Sequence, residues 1–135
     1  MTYAYGRLRV LVVEDEHYTR NTIKRLLQQC GVREVVEAPD GAQGFSLLLG
    51  FRPHVVFCDI HMEPVGGLDF LRMVRESTGE DISGTHVVFL TADAMKDTVL
   101  AARDLRIDGY LVKPANILRI KARLDEFLAR HPDPR

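Results

Sequence analysis

One aspartate stands at the end of a run that is typical of a buried strand. Residues Val55–Cys58 are apolar and rich in β-branched and aromatic side chains, as in strands covered on both faces. The run ends at Asp59, and loop-forming residues follow at Pro64, Gly66 and Gly67. Ligand sites of open α/β sheets lie at the carboxyl ends of the strands. We therefore hypothesise that Asp59 is a nucleophilic carboxylate that accepts a phosphoryl group.

Two more carboxylates follow the first predicted strand. Glu14 and Asp15 come directly after the apolar run Val10–Val13, and the strand order predicted below makes the first and third strands neighbours. Three carboxylates beside one another repel, so the cluster favours a bound divalent cation. Mg²⁺ (or Mn²⁺) prefers oxygen ligands and leaves room for phosphate oxygens. The sequence therefore predicts a metal site at Glu14, Asp15 and Asp59.

A hydroxyl and an ammonium group end two other predicted strands. Thr91 ends the fourth strand, and Lys113 follows the fifth strand immediately before Pro114. Phosphoryl transfer consists mostly of positioning and of neutralising charge on the phosphoryl oxygens. A metal, a hydroxyl and an ammonium around a carboxylate nucleophile supply what that reaction needs.

Five apolar runs predict strands, and helical periodicity predicts a helix after each. The strands are expected at Leu8–Val13, Glu34–Ala38, Val55–Cys58, His86–Thr91 and Asp108–Val112. The helices are expected at about Tyr18–Cys30, from Ala42 to a stop at Gly50, and at about Leu68–Ser77, Ala94–Leu105 and Asn116–Ala129. Residues Thr78–Thr85 are expected to form a polar loop. Asp40 is expected to cap the second helix, whose core face is predicted to be Ala42, Phe45, Leu48 and Leu49.

This alternation predicts an α/β fold, a flavodoxin-like (βα)5 doubly wound parallel sheet. Strands one, three and four are nearly continuous apolar runs and belong in the middle of the sheet. Strand two carries Glu34 and Glu37, which suits an edge. The predicted strand order is therefore 2-1-3-4-5.

Length and composition limit the functional classes. A chain of 135 residues is expected to form a single domain, with a core at about residues 8–130 between a short N-terminal arm and a C-terminal tail. The net charge of −1 argues against a nucleic-acid partner. No apolar run has membrane-spanning length and no signal peptide is recognisable, so we expect a cytoplasmic protein. Cys30 and Cys58 are expected to be free, buried thiols.

Several short motifs stand in the order and at the spacing of a known family. They are Leu11–Glu16, Asp59 with Met62 and Gly67, Thr91-Ala92, and Gly109-Tyr110 with Lys113-Pro114. On these motifs the sequence resembles the receiver domains of two-component response regulators, and the resemblance covers nearly the whole chain.

The resemblance implies a reaction and a donor. Asp59 would be the phosphoacceptor, and Thr91 and Lys113 would hold the phosphoryl oxygens. The donor would be a phosphohistidine on a sensor histidine kinase or a histidine phosphotransfer protein. A stand-alone receiver of this kind is a signalling phosphoacceptor that catalyses its own phosphorylation and dephosphorylation. The family also implies a cis peptide bond between Lys113 and Pro114.

The resemblance also assigns metal ligands and residues that tune the reaction. Asp15 and Asp59 would bind Mg²⁺ directly, with the backbone carbonyl of His61 as the third protein ligand and Glu14 acting through water. His61 and Asp93 stand two residues after Asp59 and the strand-ending threonine. In this family, those positions tune dephosphorylation.

A switch is implied at the fourth helix, fifth strand and fifth helix. Phosphorylation would draw the Thr91 hydroxyl toward the phosphoryl group and let the Tyr110 ring turn inward, which changes the surface offered to a downstream protein target. Tyr110 as an ordinary half-buried residue of an edge strand remains an alternative. The output role is also open: a diffusible switch, a phosphate sink or a relay intermediate.

Three positions depart from the family pattern. Glu63 and Gly66 stand where a proline and an acid are common, so the loop after Asp59 is expected to have a different shape. Ala115 stands where a larger residue is common, so the start of the fifth helix is expected to pack less tightly.

Two other functions fit the same fold. A flavin-binding electron carrier needs a phosphate loop rich in hydroxyls and glycines after the first strand, and here acidic residues occupy it. A metal-dependent phosphatase or phosphotransferase with an aspartyl nucleophile usually carries a second aspartate two residues later, where this chain has His61.

Overall fold

A single parallel sheet of five strands is the centre of the computed structural model, which describes residues 2–92 and 96–134. The strands are β1 (Arg9–Val13), β2 (Glu34–Ala38), β3 (Val55–Asp59), β4 (His86–Thr91) and β5 (Gly109–Val112). The helices are α1 (Thr2–Gly6), α2 (His17–Cys30), α3 (Gly41–Phe51), α4 (Gly67–Arg75), α5 (Glu80–Ser83), α6 (Lys96–Asp104) and α7 (Ile117–Arg130). The strand order is β2-β1-β3-β4-β5, which confirms the predicted fold.

Burial along the strands explains this order. Every residue of β3 and β4 is buried, and β1 is buried after its first residue. Strands β2 and β5 are only partly buried, as edge strands are. Apolar runs therefore occupy the centre of the sheet, where both faces are covered by helices.

Alternate residues of the central strands feed two separate cores. On one face, Val10, Val12 and Phe57 pack with residues of α2 and α7. On the other, Leu11 and Val13 pack with residues of α3, α4 and α6. This alternation follows from the two-residue period of a strand, and it makes the sheet a rigid support for the loops at its carboxyl edge.

The strand register aligns the ends of four strands. Val13 lies opposite Cys58, Asp59 opposite Leu90, and Thr91 opposite Val112. The residues that end β1, β3, β4 and β5 therefore meet at one edge of the sheet.

The second predicted helix has a different core face from the one expected. Leu48 is buried as predicted and Phe45 is half-buried, but Ala42 and Leu49 are exposed. Gly44 lies so close to β1 that an added Cβ would be 2.8 Å from the Val13 Cγ2 atom. Glycine occupies the inward face of α3 because a side chain there would collide with β1. Since glycine has no apolar side chain, the hydrophobic pattern of the sequence does not mark it as a core position.

Two segments contain short helices that the periodicity did not predict. The expected polar loop Thr78–Thr85 includes α5, which buries Ile82. The expected N-terminal arm includes α1, where Tyr5 is buried and its hydroxyl donates to Asp125 Oδ1 of α7 at 2.5 Å. Helices of four and five residues are too short to show a helical period.

Several helix ends follow local sequence signals, although α3 continues one residue past its expected stop at Gly50. Asp40 caps α3 by accepting a hydrogen bond from the Gln43 backbone N–H at 2.9 Å, as predicted. Gly31 ends α2 with a left-handed φ of 105°, a conformation that favours glycine. Asn116 caps α7 through the Arg119 N–H at 2.9 Å.

Both cysteines, Cys30 and Cys58, are buried and free, as predicted. Among residues 2–92 and 96–134, no helix has the length and apolar character needed to cross a membrane.

Candidate functional site

Asp59 is the last residue of β3 and is 7% exposed. The loop that follows it is held close by α4, whose first residue, Gly67, donates its backbone N–H to the Ile60 carbonyl at 2.9 Å. A Cβ on Gly67 would lie 2.5 Å from the Asp59 carbonyl oxygen. Glycine is therefore required here so that the helix can begin against the backbone of the candidate nucleophile.

Three carboxylates converge at this point. Glu14, Asp15 and Asp59 each offer an oxygen, and these oxygens all lie within 4.8 Å of one another. Burial raises the pKa of Asp15, and a hydrogen bond to Glu14 and the charge of Glu14 add to the increase. An all-oxygen, anionic donor set with mutual repulsion fits a hard divalent cation such as Mg²⁺.

Glu14 is the most deeply buried of the three acids, at 1% exposed, and both of its carboxylate oxygens accept hydrogen bonds. Its Oε1 accepts from the Lys113 ammonium at 2.8 Å, and its Oε2 accepts from the Glu16 backbone N–H at 3.3 Å. Its own backbone N–H donates to the Ala38 carbonyl at 3.0 Å. Glu14 is therefore fixed by the protein, whereas Asp15 is exposed to solvent.

The Lys113 ammonium points into the site. Its Nζ lies 2.8 Å from Glu14 Oε1 and 3.4 Å from Asp59 Oδ1. Burial lowers the pKa of Lys113, but the hydrogen bond to Glu14 and the charges of both acids outweigh burial and leave the pKa raised. The lysine is therefore a permanent cation beside Asp59. The peptide bond between Lys113 and Pro114 is cis.

Thr91 ends β4 and is 6% exposed. Its carbonyl accepts the Lys113 backbone N–H at 2.7 Å, which joins the ends of β4 and β5. Leu90, the residue before it, lies opposite Asp59 in the sheet. The threonine, the lysine and the aspartate are thus carried by three adjacent strands at one edge. Asp93 lies outside the described residues.

The loop after β3 lines a cavity of about 400 Å³ with His61, Glu63 and Asp15 at its wall. His61 is exposed. The Glu63–Pro64 peptide bond is cis, in the loop whose sequence departs from the family pattern. A second cavity of about 330 Å³ has Ala115 and Pro114 in its wall, just before α7.

Tyr110 lies on β5, the edge strand that pairs with β4. Its ring is half-buried and tilted by 57° against Phe89, with 6.3 Å between the ring centroids. Burial raises the pKa of the Tyr110 hydroxyl. The ring lies beside a cavity of about 330 Å³ that is also lined by Arg119 and Arg123 of α7.

One residue of the site was missed by the sequence interpretation. Arg20 of α2 donates from Nη1 to the Glu14 backbone carbonyl at 2.8 Å. Arginine is common on exposed helix faces, so its type and position gave no signal of this contact. It depends on how the first turn of α2 lies against the end of β1.

Comparison with known proteins identifies the family. The family described as "response regulator receiver domain" matches residues 10–125. The chain is 28% identical to the chemotaxis protein CheY-3 of Vibrio cholerae serotype O1 over 123 residues, which are 91% of this chain and 93% of that protein. It is 29% identical to the chemotaxis protein CheY of Pseudomonas aeruginosa over 123 residues, 91% of this chain and 98% of that one.

A solved structure gives the same result. The Vibrio cholerae chemotaxis protein CheY4 superposes with a TM-score of 0.82 at 26% identity, covering 90% of this chain and 98% of that chain. The family match runs from β1 into α7 and includes the residues of the candidate site, which are Glu14, Asp15, Asp59, Thr91 and Lys113. It favours a receiver over the flavin carrier and the phosphatase that the sequence left open. The chain belongs to the response regulator receiver domain family of two-component signalling proteins.

Proposed function

We propose that the protein accepts a phosphoryl group from a phosphohistidine donor onto Asp59 in a reaction that depends on Mg²⁺. The observation that carries this proposal is the Lys113 ammonium at 3.4 Å from Asp59 Oδ1, inside a cluster of three carboxylates. A lone buried acid can be structural. An acid with a fixed cation and two further acids around it matches the requirements of phosphoryl transfer.

In the proposed reaction, an Asp59 carboxylate oxygen forms a bond to phosphorus. The P–N bond of the donor's phosphohistidine breaks, and its electron pair leaves with the imidazole nitrogen. Lys113 offers positive charge to the incoming phosphoryl oxygens, and the Thr91 hydroxyl is proposed as a hydrogen-bond donor to them. The donor is a sensor histidine kinase or a histidine phosphotransfer protein.

The metal ligands are proposed from the donor set. Asp15 and Asp59 would bind Mg²⁺ or Mn²⁺ directly, together with the backbone carbonyl of His61. Glu14 would act through water, since both of its carboxylate oxygens already accept hydrogen bonds from the protein. When bound, the cation neutralises part of the negative charge of the acids and of the phosphoryl group.

The output surface is proposed to be α6, β5 and α7. Tyr110 lies on β5 between the Phe89 ring and the cavity lined by Arg119 and Arg123. Movement of Thr91 toward the phosphoryl group would allow the Tyr110 ring to turn inward and would change this surface for a downstream protein target. The lifetime of the phosphorylated state is proposed to depend on His61 and Asp93.

The test is phosphorylation by acetyl phosphate with Mg²⁺, read by intact-protein mass spectrometry. Wild type should gain one phosphoryl group, and Asp59→Asn should gain none. Asp69→Asn is the matched control, because Asp69 is an exposed aspartate in the first turn of α4, and it should be labelled like wild type. Equal labelling of Asp59→Asn and wild type would refute the proposal. Loss of labelling in Asp69→Asn, with Mg²⁺ present, would also refute it.

A further inference from the structure

Arg20 joins three elements next to the acidic cluster. Its Nη1 donates to the Glu14 backbone carbonyl at 2.8 Å, and its Nε lies 3.3 Å from Glu37 Oε1 on β2. Its Nη2 lies 3.2 Å from His17 Nδ1 at the start of α2. The side chain is only 16% exposed. The guanidinium therefore fills the space between the end of β1, the end of β2 and the first turn of α2.

We propose that Arg20 is a positioning residue that holds the β1–α2 loop so that Glu14 and Asp15 stay beside Asp59. This inference rests on the proposed function for its biological meaning, but it concerns the geometry of the acidic cluster itself. Three carboxylates whose oxygens lie within 4.8 Å repel one another, and the loop carrying two of them follows the last residue of β1. A loop under such repulsion moves apart unless its backbone is anchored.

The backbone of Glu14 is anchored at both its N–H and its carbonyl. The Glu14 N–H is held by the Ala38 carbonyl at 3.0 Å, and the Glu14 carbonyl is held by Arg20. The backbone of Glu14 is therefore held at its N–H by β2 and at its carbonyl, the start of the Glu14–Asp15 peptide, by α2. A charge-assisted hydrogen bond from a guanidinium is about twice as strong as a neutral one. Loss of Arg20 would release the carbonyl side and let Asp15 move away from Asp59.

Two simpler explanations must be separated from positioning. Arg20 could act only through its positive charge, or only by anchoring Glu37. Lys24 provides the control, because it lies one turn later on α2 and its Nζ is 3.2 Å from Glu37 Oε2. The Lys24→Gln variant removes the same charge and a bond to the same partner. Glu37→Gln removes the ion pairs of both basic residues and keeps the Arg20 contact with the Glu14 carbonyl.

The two effects have opposite signs for a bound cation. Removal of a positive charge near three carboxylates strengthens divalent-cation binding through space, since a repulsion is lost. Removal of a positioning group weakens it, because the ligands lose their arrangement. Residues that support metal ligands typically contribute about 10-fold or more to affinity.

The experiment measures Mn²⁺ binding to the unphosphorylated full chain by electron paramagnetic resonance of the free ion. Arg20→Gln should bind Mn²⁺ about 10-fold more weakly than wild type. Lys24→Gln and Glu37→Gln should show no such loss. Urea unfolding of each variant verifies that the binding is measured on folded protein. If Arg20→Gln fails this check, Arg20→Lys replaces it, and it should still bind more weakly than wild type because one ammonium cannot reproduce the guanidinium fork.

The positioning role would be overturned if Arg20→Gln bound Mn²⁺ as tightly as wild type or more tightly. It would also be overturned if Lys24→Gln lost as much affinity, or if the Arg20→Lys replacement bound like wild type. No phosphodonor is present in this experiment. Failure of wild type to be phosphorylated would therefore contradict the proposed function without affecting this result.

Discussion

Replacement of Arg75 by methionine should destabilise the domain strongly. Arg75 ends α4, and its side chain is 6% exposed. Its guanidinium donates to Asp108 Oδ2 at 2.9 Å and to four backbone carbonyls at 2.7–3.0 Å. These carbonyls belong to Leu105, Ser83, Thr85 and Arg106. One arginine thus joins the end of α4 to the segments that precede β4 and β5, the strands that carry Thr91 and Lys113.

The size of the effect follows from these contacts. Methionine keeps apolar volume but donates no hydrogen bond, so the partly buried Asp108 carboxylate and four backbone carbonyls lose a charged partner. Breaking a buried ion pair by removal of one member costs about 3–5 kcal/mol of unfolding free energy. For a chain of 135 residues, each kcal/mol lowers Tm by about 3–4 °C. The expected decrease in Tm is therefore roughly 9–20 °C.

Thermal and urea unfolding, followed by circular dichroism, measure this directly. Arg72→Met is the matched control, since Arg72 lies on the same helix, is 51% exposed and forms one ion pair with Asp69. That variant should lose less than about 1 kcal/mol. If Arg75→Met were no less stable than Arg72→Met, the interpretation of Arg75 as a buried junction would be wrong.

Three further results are expected. Stability should fall with pH below about 6.5, because burial lowers the pKa of His86 in the folded protein and the unfolded chain then binds the proton first. The loss of stability begins as the pH falls through the pKa of His86 in the unfolded chain and ends at its lower pKa in the folded protein. Urea unfolding at several pH values measures it, and the loss should be smaller in His86→Phe. Lys113→Met should slow acetyl phosphate labelling of Asp59 by about 100-fold in a time course, because the cation beside the nucleophile is removed. Exchange of His61 and Asp93 for other residues should change the decay rate of the phosphorylated protein, measured by Phos-tag electrophoresis, without preventing its formation.

Controls and contradicting outcomes differ among these three. An unchanged pH dependence in His86→Phe would exclude His86 as the titrating group. Lys121→Met, on α7, is the control for Lys113→Met and should be labelled at the wild-type rate. If Lys113→Met were labelled as fast as Lys121→Met, the proposed role of Lys113 would be wrong. Unchanged decay after exchange of both His61 and Asp93 would refute their tuning role.

The parts of the fold that depend on apolar runs could be predicted from the sequence. Residues of β1, β3 and β4 form continuous apolar stretches because helices cover both faces of the sheet, and the polar character of Glu34 and Glu37 identified the edge strand. Asp40 and Gly31 act through local backbone geometry, so their roles as helix ends could also be inferred.

Other features depend on distances that the sequence does not encode locally. The inward face of α3 uses Gly44, which has no side chain to reveal a core position. The Lys113 ammonium is closer to Glu14, at 2.8 Å, than to Asp59, at 3.4 Å. This difference depends on the three-dimensional arrangement of the loops that follow β1, β3 and β5. The contacts of Arg20 and Arg75 with backbone carbonyls depend on how helices pack, and a basic residue on a helix is usually solvated.

The most direct measurement of the central claim identifies the phosphorylated atom. Protein labelled with acetyl phosphate and Mg²⁺ can be reduced with borohydride, which converts an aspartyl phosphate to homoserine, and then digested for peptide mass spectrometry. The account predicts homoserine at position 59 and unmodified aspartate at position 15. Homoserine at another aspartate, or a phosphoryl group that remains on a histidine or a hydroxyl while Asp59 is unchanged, would contradict it.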